Sequence, residues 1–320
     1  MPRFLVTLAL VILLIAPMTN AQAPAHRCAA CGQVILDEYV TIEGRTFHPD
    51  HILCAYCGKR IESTYVTADH LFYHGDCYQK RFVVVCAVCN KVVLDHYVQD
   101  FWGGRAHAAH KADTPQCDFC ERFIAGGFAA QAVTLPDGRR LCGHCAASSV
   151  TTTAKVKDLA GMVSSSLATH GVKVRTDDIT YLLLDKDTMK KMSYDPTRHA
   201  LGFTDYQRTD SRDDTYCNIV VLNGMPELQM AAVLAHEILH VWLQRAGVHS
   251  AGTPWIEGSC EYAAYLMMAD LNTKESQFVV QHFETNTDSI YGGGFRQVKQ
   301  FVAKHGVDGW LDALLPPGGE

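Results

Sequence analysis

The sequence lacks an apolar run long enough to cross a bilayer: the N-terminal stretch Phe4–Ile15 falls short of the roughly 18 residues a spanning helix needs. Arg3 precedes it, and Pro17 and Ala21-Gln22-Ala23, a small-x-small cleavage signal, follow it, so residues 1–23 read as a cleaved export signal, with an uncleaved anchor as the alternative. No lipid-attachment cysteine stands at that junction, since the first cysteine is Cys28. The mature protein is therefore expected to be periplasmic or secreted, without a stable membrane span. Excess charge is lacking too. The 28 Lys and Arg against 34 Asp and Glu leave −6 with no basic stripe, which argues against nucleic acid as the main partner.

Cysteine, by contrast, is abundant: 13 residues, eleven of them before position 146, an unevenness that marks a domain boundary. In an exported chain the first expectation is disulfides. The spacing argues otherwise. Cys28-x2-Cys31, His48-x2-His51, Cys54-x2-Cys57 and His74-x2-Cys77 are four pairs at fixed offsets, followed by Cys86-x2-Cys89, His107-x2-His110, Cys117-x2-Cys120 and Cys142-x2-Cys145. Disulfide frameworks need no histidines at regular intervals, whereas tetrahedral N/S zinc sites do. The segment Val34–Val40 recurs as Val92–Val98 at the offset of 58 that relates Cys28 to Cys86, so one module is present twice. Paired as double fingers, the ligands are Cys28, Cys31, His48, His51; Cys54, Cys57, His74, Cys77; Cys86, Cys89, His107, His110; and Cys117, Cys120, Cys142, Cys145. These predict four structural Zn²⁺ ions in closed sites. An oxidising compartment would set zinc binding against disulfide formation within the closely spaced cysteine pairs.

A second metal pattern lies far downstream. In Met225–Gly247, helix formers and apolar residues surround Ala235-His236-Glu237-Ile238-Leu239-His240, with Pro226 suited to a first turn and Gly247 to a stop. At i and i+4, His236 and His240 share one face and can bind one Zn²⁺ while Glu237 reaches a water on it. The bland alternative is an apolar helix with incidental histidines, which would leave costly polar groups inside. A catalytic site needs a third protein ligand. Six residues past His240 stands Ala246, not His, so a following helix must supply it. Thr253 as N-cap and Pro254 at the first position open such a helix through Trp255–Asp270, from which Glu257 is the expected ligand and Glu261 an orienting partner for a histidine.

The predicted chemistry is water attack on a peptide carbonyl with Glu237 as general base. Oxyanion donor candidates are Tyr291, His282, Tyr265 and His249, with Tyr291 preferred because Gly292–Gly294 beside it permit close approach. Ala146–Ala154 reads as a linker, Lys155–His170 as a helix, Ile179–Leu184 and Cys217–Leu222 as buried strands, and Gly202–Tyr206 as an edge strand lining a cleft. Lys274–His282 and Phe295–His305 read as helices joined by a Ser289–Gly294 loop, with Cys217 and Cys260 as buried small residues.

The zinc pattern, with Thr46-Phe-His-Pro-Asp-His51 and Tyr73-His-Gly-Asp-Cys-Tyr78, resembles LIM domains; the second module, with six residues between its halves, is LIM-like. LIM modules followed by Leu234–Leu243, Glu257-Gly258 and Tyr291–Arg296 resemble the DA-one family of LIM-containing metallopeptidases, known in plants and bacteria. The resemblance implies zinc on His236, His240 and Glu257 with Glu237 as base. The chain differs from plant members in its export signal and in having no ubiquitin-binding helices before the LIM pair, so ubiquitin control is not carried over. The expected architecture is α+β: LIM and LIM-like modules built as small antiparallel zinc ribbons (24–82 and 83–148), then an α+β gluzincin-like metallopeptidase domain (149–320). The expected function is a zinc endopeptidase with one catalytic and four structural Zn²⁺, whose LIM modules recruit a protein partner or substrate or regulate the cleft. The alternative is a LIM-type adaptor whose peptidase-like domain only binds.

Overall fold

The computed structural model describes residues 26–93, 96–126, 129–192, 201–208, 215–248 and 253–316. The expected export signal and His249 lie outside the described residues. The chain falls into two compact units, one of residues 1–86 with 90–96, the other of 87–89 with 97–320.

The first unit is two zinc ribbons. Strands β1 (Val40–Ile42) and β2 (Arg45–Phe47) pair antiparallel around Glu43 and Gly44, at φ 51° and 78°. Strands β3 (Val66–Ala68) and β4 (Leu71–Tyr73) pair around Asp69 and His70, at φ 51° and 62°. Two consecutive positive φ values make the primed turn whose twist matches the strands it joins. A 3₁₀ turn (Pro49–His51) follows the first hairpin and helix α1 (Gly75–Phe82) the second. Among the described residues the fully buried apolar core is Ile35, Ile42, Phe47, Ile52, Ile61 and Tyr73 around Cys28 and Cys54, too little to hold so short a chain without a metal.

The second unit opens with two more ribbons: β5 (Tyr97–Gln99) with β6 (Arg105–His107), and β7 (Val133–Thr134) with β8 (Arg140–Leu141), closed by α2 (Gly143–Ala147). They form one body with the sheet and helices downstream. The expected linker is pinned: Val150 is buried, its N–H donates to the Met225 carbonyl, and its own carbonyl accepts from Gly224. Helix α3 (Thr153–Thr169), capped by the Thr152 hydroxyl, lays Val156, Leu159, Ala160, Val163 and Leu167 into the core, the face its periodicity predicts.

Strand β9 (Ile179–Leu184), helix α4 (Lys186–Met192), strand β10 (Gly202–Arg208) and strand β11 (Thr215–Leu222) build a three-stranded sheet with one flanking helix. In the sheet, β11 lies between a parallel β9 and an antiparallel β10. Helix α5 (Glu227–Arg245) starts directly after Pro226, which caps it from outside, and ends before Gly247 at φ 83°. Met230, Leu234, Ile238 and Val241 are among its buried residues, while Gln229, Val233, His236 and His240 form a half-buried strip. Helix α6 (Pro254–Leu271) begins as expected, with the Thr253 hydroxyl accepting from the Ile256 N–H.

Helices α7 (Lys274–Thr285) and α8 (Tyr291–Leu314) complete the fold. Here the expected Ser289–Gly294 loop is corrected: Tyr291–Gly294 is the first turn of α8, and the expected end at His305 is a break at Gly306, φ 75°. The glycines serve packing, not loop freedom. A Cβ on Gly294 would fall 1.9 Å from the Pro254 carbonyl oxygen, one on Gly258 would fall 2.1 Å from the Gly294 backbone, and one on Gly292 would fall 2.0 Å from the Asn286 oxygen. Helices α6 and α8 therefore meet backbone to backbone where α6 presents Glu257.

Because backbone atoms cannot yield as a flexible side chain can, Gly294→Ala is expected to cost about 3 kcal/mol or more in urea-induced unfolding. A variant within about 0.5 kcal/mol of the parent would refute the close-packing account.

Candidate metal centres and cleft

Tetrahedral zinc with bonds near 2.0–2.2 Å to N or O and 2.3 Å to S places its ligand atoms about 3.4 Å (N to N or O), 3.6 Å (N to S) and 3.8 Å (S to S) apart. Ligand atoms lying within one unit meet these edges. In the first quartet, Cys28 Sγ is 3.4 Å from His51 Nδ1, Cys31 Sγ is 3.6 Å from His48 Nδ1, and the two Nδ1 atoms are 3.3 Å apart. In the second, His74 Nδ1 is 3.5 Å from Cys57 Sγ and 3.9 Å from Cys77 Sγ, with Cys54 buried beside them. Cys89 Sγ lies 3.5 Å from His107 Nδ1 and the His107 and His110 rings are 5.5 Å apart, while Cys86 is a buried residue of the first unit. In the fourth quartet Cys117, Cys120, Cys142 and Cys145 are all buried, and Cys120 and Cys142 lie 3.6 Å apart where a disulfide would need about 2.05 Å. These donor sets suit structural zinc. At Cys28 burial would raise the thiol, but the amide of His48 at 3.4 Å and its other donors bring it down to about 5.

Each Cys-x2-Cys turn is built alike, with antiparallel bridges Arg27 to Val34, Leu53 to Arg60, Val85 to Val92 and Gln116 to Phe123. The residue after each second cysteine is left-handed: Gly32, Gly58 and Asn90 at φ 72°, 71° and 56°, then Glu121 at 57°. Glycine and asparagine tolerate that region; for Glu121 it costs about 1 kcal/mol.

On α5 and α6 the expected residues converge. Glu257 Oε2 lies 3.4 Å from His236 Nε2 and 3.4 Å from His240 Nε2, the tetrahedral edge twice over. The other His236 nitrogen, Nδ1, is 3.5 Å from Glu261 Oε1, the orienting contact expected of that residue. Burial alone would lower the His236 pKa; Glu257 and Glu261 outweigh it and raise it well above the ordinary value. Burial would likewise raise Glu257, and the two imidazoles instead hold it below the usual carboxylate range. Two imidazoles, which give up a proton to ligate, and one carboxylate on one point fit a divalent zinc. Cys260 Sγ is also within 4.8 Å of the histidine nitrogens, but it is wholly buried and its thiol is raised well above the ordinary value by that burial, so Glu257 is the better third donor.

Glu237 is buried, and the Thr204 hydroxyl of β10 donates to its Oε2 at 2.7 Å. Gly202, one alternation earlier on the same face, leaves room beside it, since a Cβ there would be 2.5 Å from Val233 and 3.4 Å from Glu237 Oε1. Thr204 carried no sequence motif; only the pairing of β10 under α5 reveals it. These groups open on a cavity of about 1110 Å³ whose lining includes β10, the half-buried strip of α5, α7, Tyr291 and the knuckle residues Asp118, Phe119 and Glu121. Six carboxylates and no Lys or Arg line it among the described residues.

Of the oxyanion candidates, Tyr291 lines the cavity with its ring 6.1 Å from that of His236. His282 lines it too, its Nε2 lying 3.2 Å from Glu121 Oε1. Tyr265 instead packs against Phe295 at 5.3 Å with the Lys299 ammonium over its ring, so it is set aside.

Residues 28–82 match the LIM domain family, and residues 169–275 match the DA1-like family, described as Protein DA1. Among named relatives, Protein DA1-related 1 of Arabidopsis thaliana is 23% identical over 317 residues, covering 77% of this chain and 57% of the relative. Protein DA1 of the same plant is 22% identical over 313 residues, covering 77% and 58%, and LIM domain-containing protein HDR3 of Oryza sativa subsp. japonica is 23% identical over 323 residues, covering 77% and 64%. The chain thus spans about three fifths of the length of the curated relatives it matches.

Since Phe278 of α7 shares one core with Cys117, Cys120, Cys142 and Cys145, a zinc held by this quartet would tie the knuckle to α7. Cys142→Ser is expected to lower zinc by one ion per chain and to depress the melting temperature of the second unit by about 5 °C or more. Unchanged zinc in mass-spectrometric metal analysis would refute the quartet.

Proposed function

We propose that this chain, a DA1-like protein carrying a LIM domain, is a zinc-dependent endopeptidase. The observation that carries the reading is the carboxylate oxygen of Glu257 equidistant from His236 and His240, with a second buried carboxylate, Glu237, beside them. Zinc held by His236, His240 and Glu257 would, when bound, supply Lewis acidity and bring a water's pKa down towards about 7.

The chain's own residues do the rest. Glu237 takes the attacking water's proton and returns it to the leaving amine nitrogen. Thr204 keeps that carboxylate in one rotamer, and Glu261 fixes the imidazole of His236. Tyr291 stands at the cavity wall as donor to the oxygen that gains charge. Strand β10 is the edge strand of its sheet and lines the cavity, the place where an extended substrate would lie alongside as a further strand. LIM domains are protein-interaction modules, and the exposed Leu36 and Tyr56 of the first unit suit a protein partner. That same exposure is what the adaptor reading has in its favour. It leaves the pairing of Glu237 with Thr204 without a purpose. Export after signal cleavage belongs to this proposal.

Glu257→Ala is expected to lower zinc from about five ions per chain to about four. Glu237→Gln should retain all of them and lose casein cleavage by about 10³-fold. Equal zinc in Glu257→Ala and parent, with no cleavage by either, would favour the adaptor. Thr204→Val is expected to lower kcat about tenfold with little change in KM, and Thr204→Ser to restore it. A Thr204→Val enzyme with parental kcat would remove the positioning role.

A further inference from the structure

The strip of α5 that faces the cavity runs through Gln229, Val233, His236 and His240, and its far end is occupied by the fourth zinc knuckle. There Gln229 Nε2 donates to the Phe119 carbonyl at 3.4 Å, and Phe119 lies within Cys117-Asp118-Phe119-Cys120. Its ring lines the same cavity as the zinc ligands and is backed by the Arg139 guanidinium at 5.5 Å. Glu121 ties the turn to α7 through His282, and the knuckle root packs on Phe278.

The geometry sets a distance. Gln229 precedes His236 by two helical turns, about 10 Å along the axis at 1.5 Å per residue. An extended peptide advances about 3.3 Å per residue, so a chain centred on the zinc group reaches the knuckle about three residues away. Phe119 offers that residue an aromatic surface. Asp118 and Glu121 flank it, no Lys or Arg lines the cavity among the described residues, and the Arg139 guanidinium behind the ring is already paired with Asp137 at 2.7 Å, so a carboxylate there meets like charge.

We propose that the Cys117–Cys145 knuckle is the far wall of the substrate cleft, and that Phe119 selects a large apolar side chain about three positions from the bond that is cut. This rests on the peptidase reading and names its substrate class: extended peptides with an apolar anchor and no acidic residue beside it. The LIM-like module then takes part in substrate choice directly, not only by recruitment.

The test is cleavage-site profiling of a mixed peptide library by mass spectrometry with the mature full-length protein, alongside Glu237→Gln, Phe119→Ala and Phe119→Leu, with zinc measured in each. The parent is expected to enrich Phe, Leu, Met or Tyr at one position about three residues from the cut and to deplete Asp and Glu there. Phe119→Ala should keep its zinc, lose that enrichment and raise KM about tenfold for a peptide with Leu at that position, with kcat little changed; Phe119→Leu should keep the preference. A cleaving parent with a flat profile there, or a zinc-replete Phe119→Ala with the parental profile, overturns the proposal and leaves the peptidase reading standing. If Phe119→Ala loses zinc, the parental profile and Phe119→Leu decide. Absence of any cleavage that depends on Glu237 overturns both.

Discussion

Carboxylates are held inside this protein where solvation is poor, and the second unit is arranged around answering them. Glu257 lies among apolar residues of α6, a helix that carries no Lys, Arg or His of its own. Its answer comes from α5, two imidazoles at equal distance, and the geometry of that answer is the geometry of a metal site. For the distances to hold, α6 has to be fixed against its neighbours. The glycines at 258 and 294 do this by letting two helix backbones touch, so a packing detail away from the imidazoles sets where Glu257 stands.

The four ribbons solve a different problem with the same chemistry. None has an apolar core adequate to its length, and each replaces one with four ligands on two short turns. Repetition of one knuckle, bridge for bridge, gives four copies whose environments nevertheless differ. The first two are half open to solvent; the last is buried completely and has become part of another domain's interior.

Much of this was legible in the residues because metal sites and helices impose local spacing. The Cys-x2-Cys and His-x2-His pairs, His236 with His240, and the Thr253-Pro254 helix start each express a constraint confined to a few positions, and each falls where expected. What was not legible depends on close approach between distant segments. The Gly292–Gly294 run looked like a flexible loop because glycine signals freedom unless one knows that a second backbone lies 1.9 Å from where a side chain would begin. Thr204 and Phe119 are ordinary residues in sequence, and a register between β10 and β11 or a knuckle docked on α5 leaves no trace in composition. The Ala146–Ala154 run read as a linker for the same reason: its small residues suit close packing as well as freedom.

The shared interior of the four-cysteine knuckle and α7 bears on how such proteins diversify. Modules recombine freely when each brings its own core, and an intact ribbon is the kind of part that can be gained, lost or exchanged between genes. Phe278 removes that freedom from the last two ribbons here, because it packs on Phe101 and Trp102 of one and shares a core with the cysteines of the other, so excising them would bare an aromatic side chain to water. The line along which evolution could cut this chain therefore falls upstream of both ribbons, between the two modules that the repeat in the sequence presents.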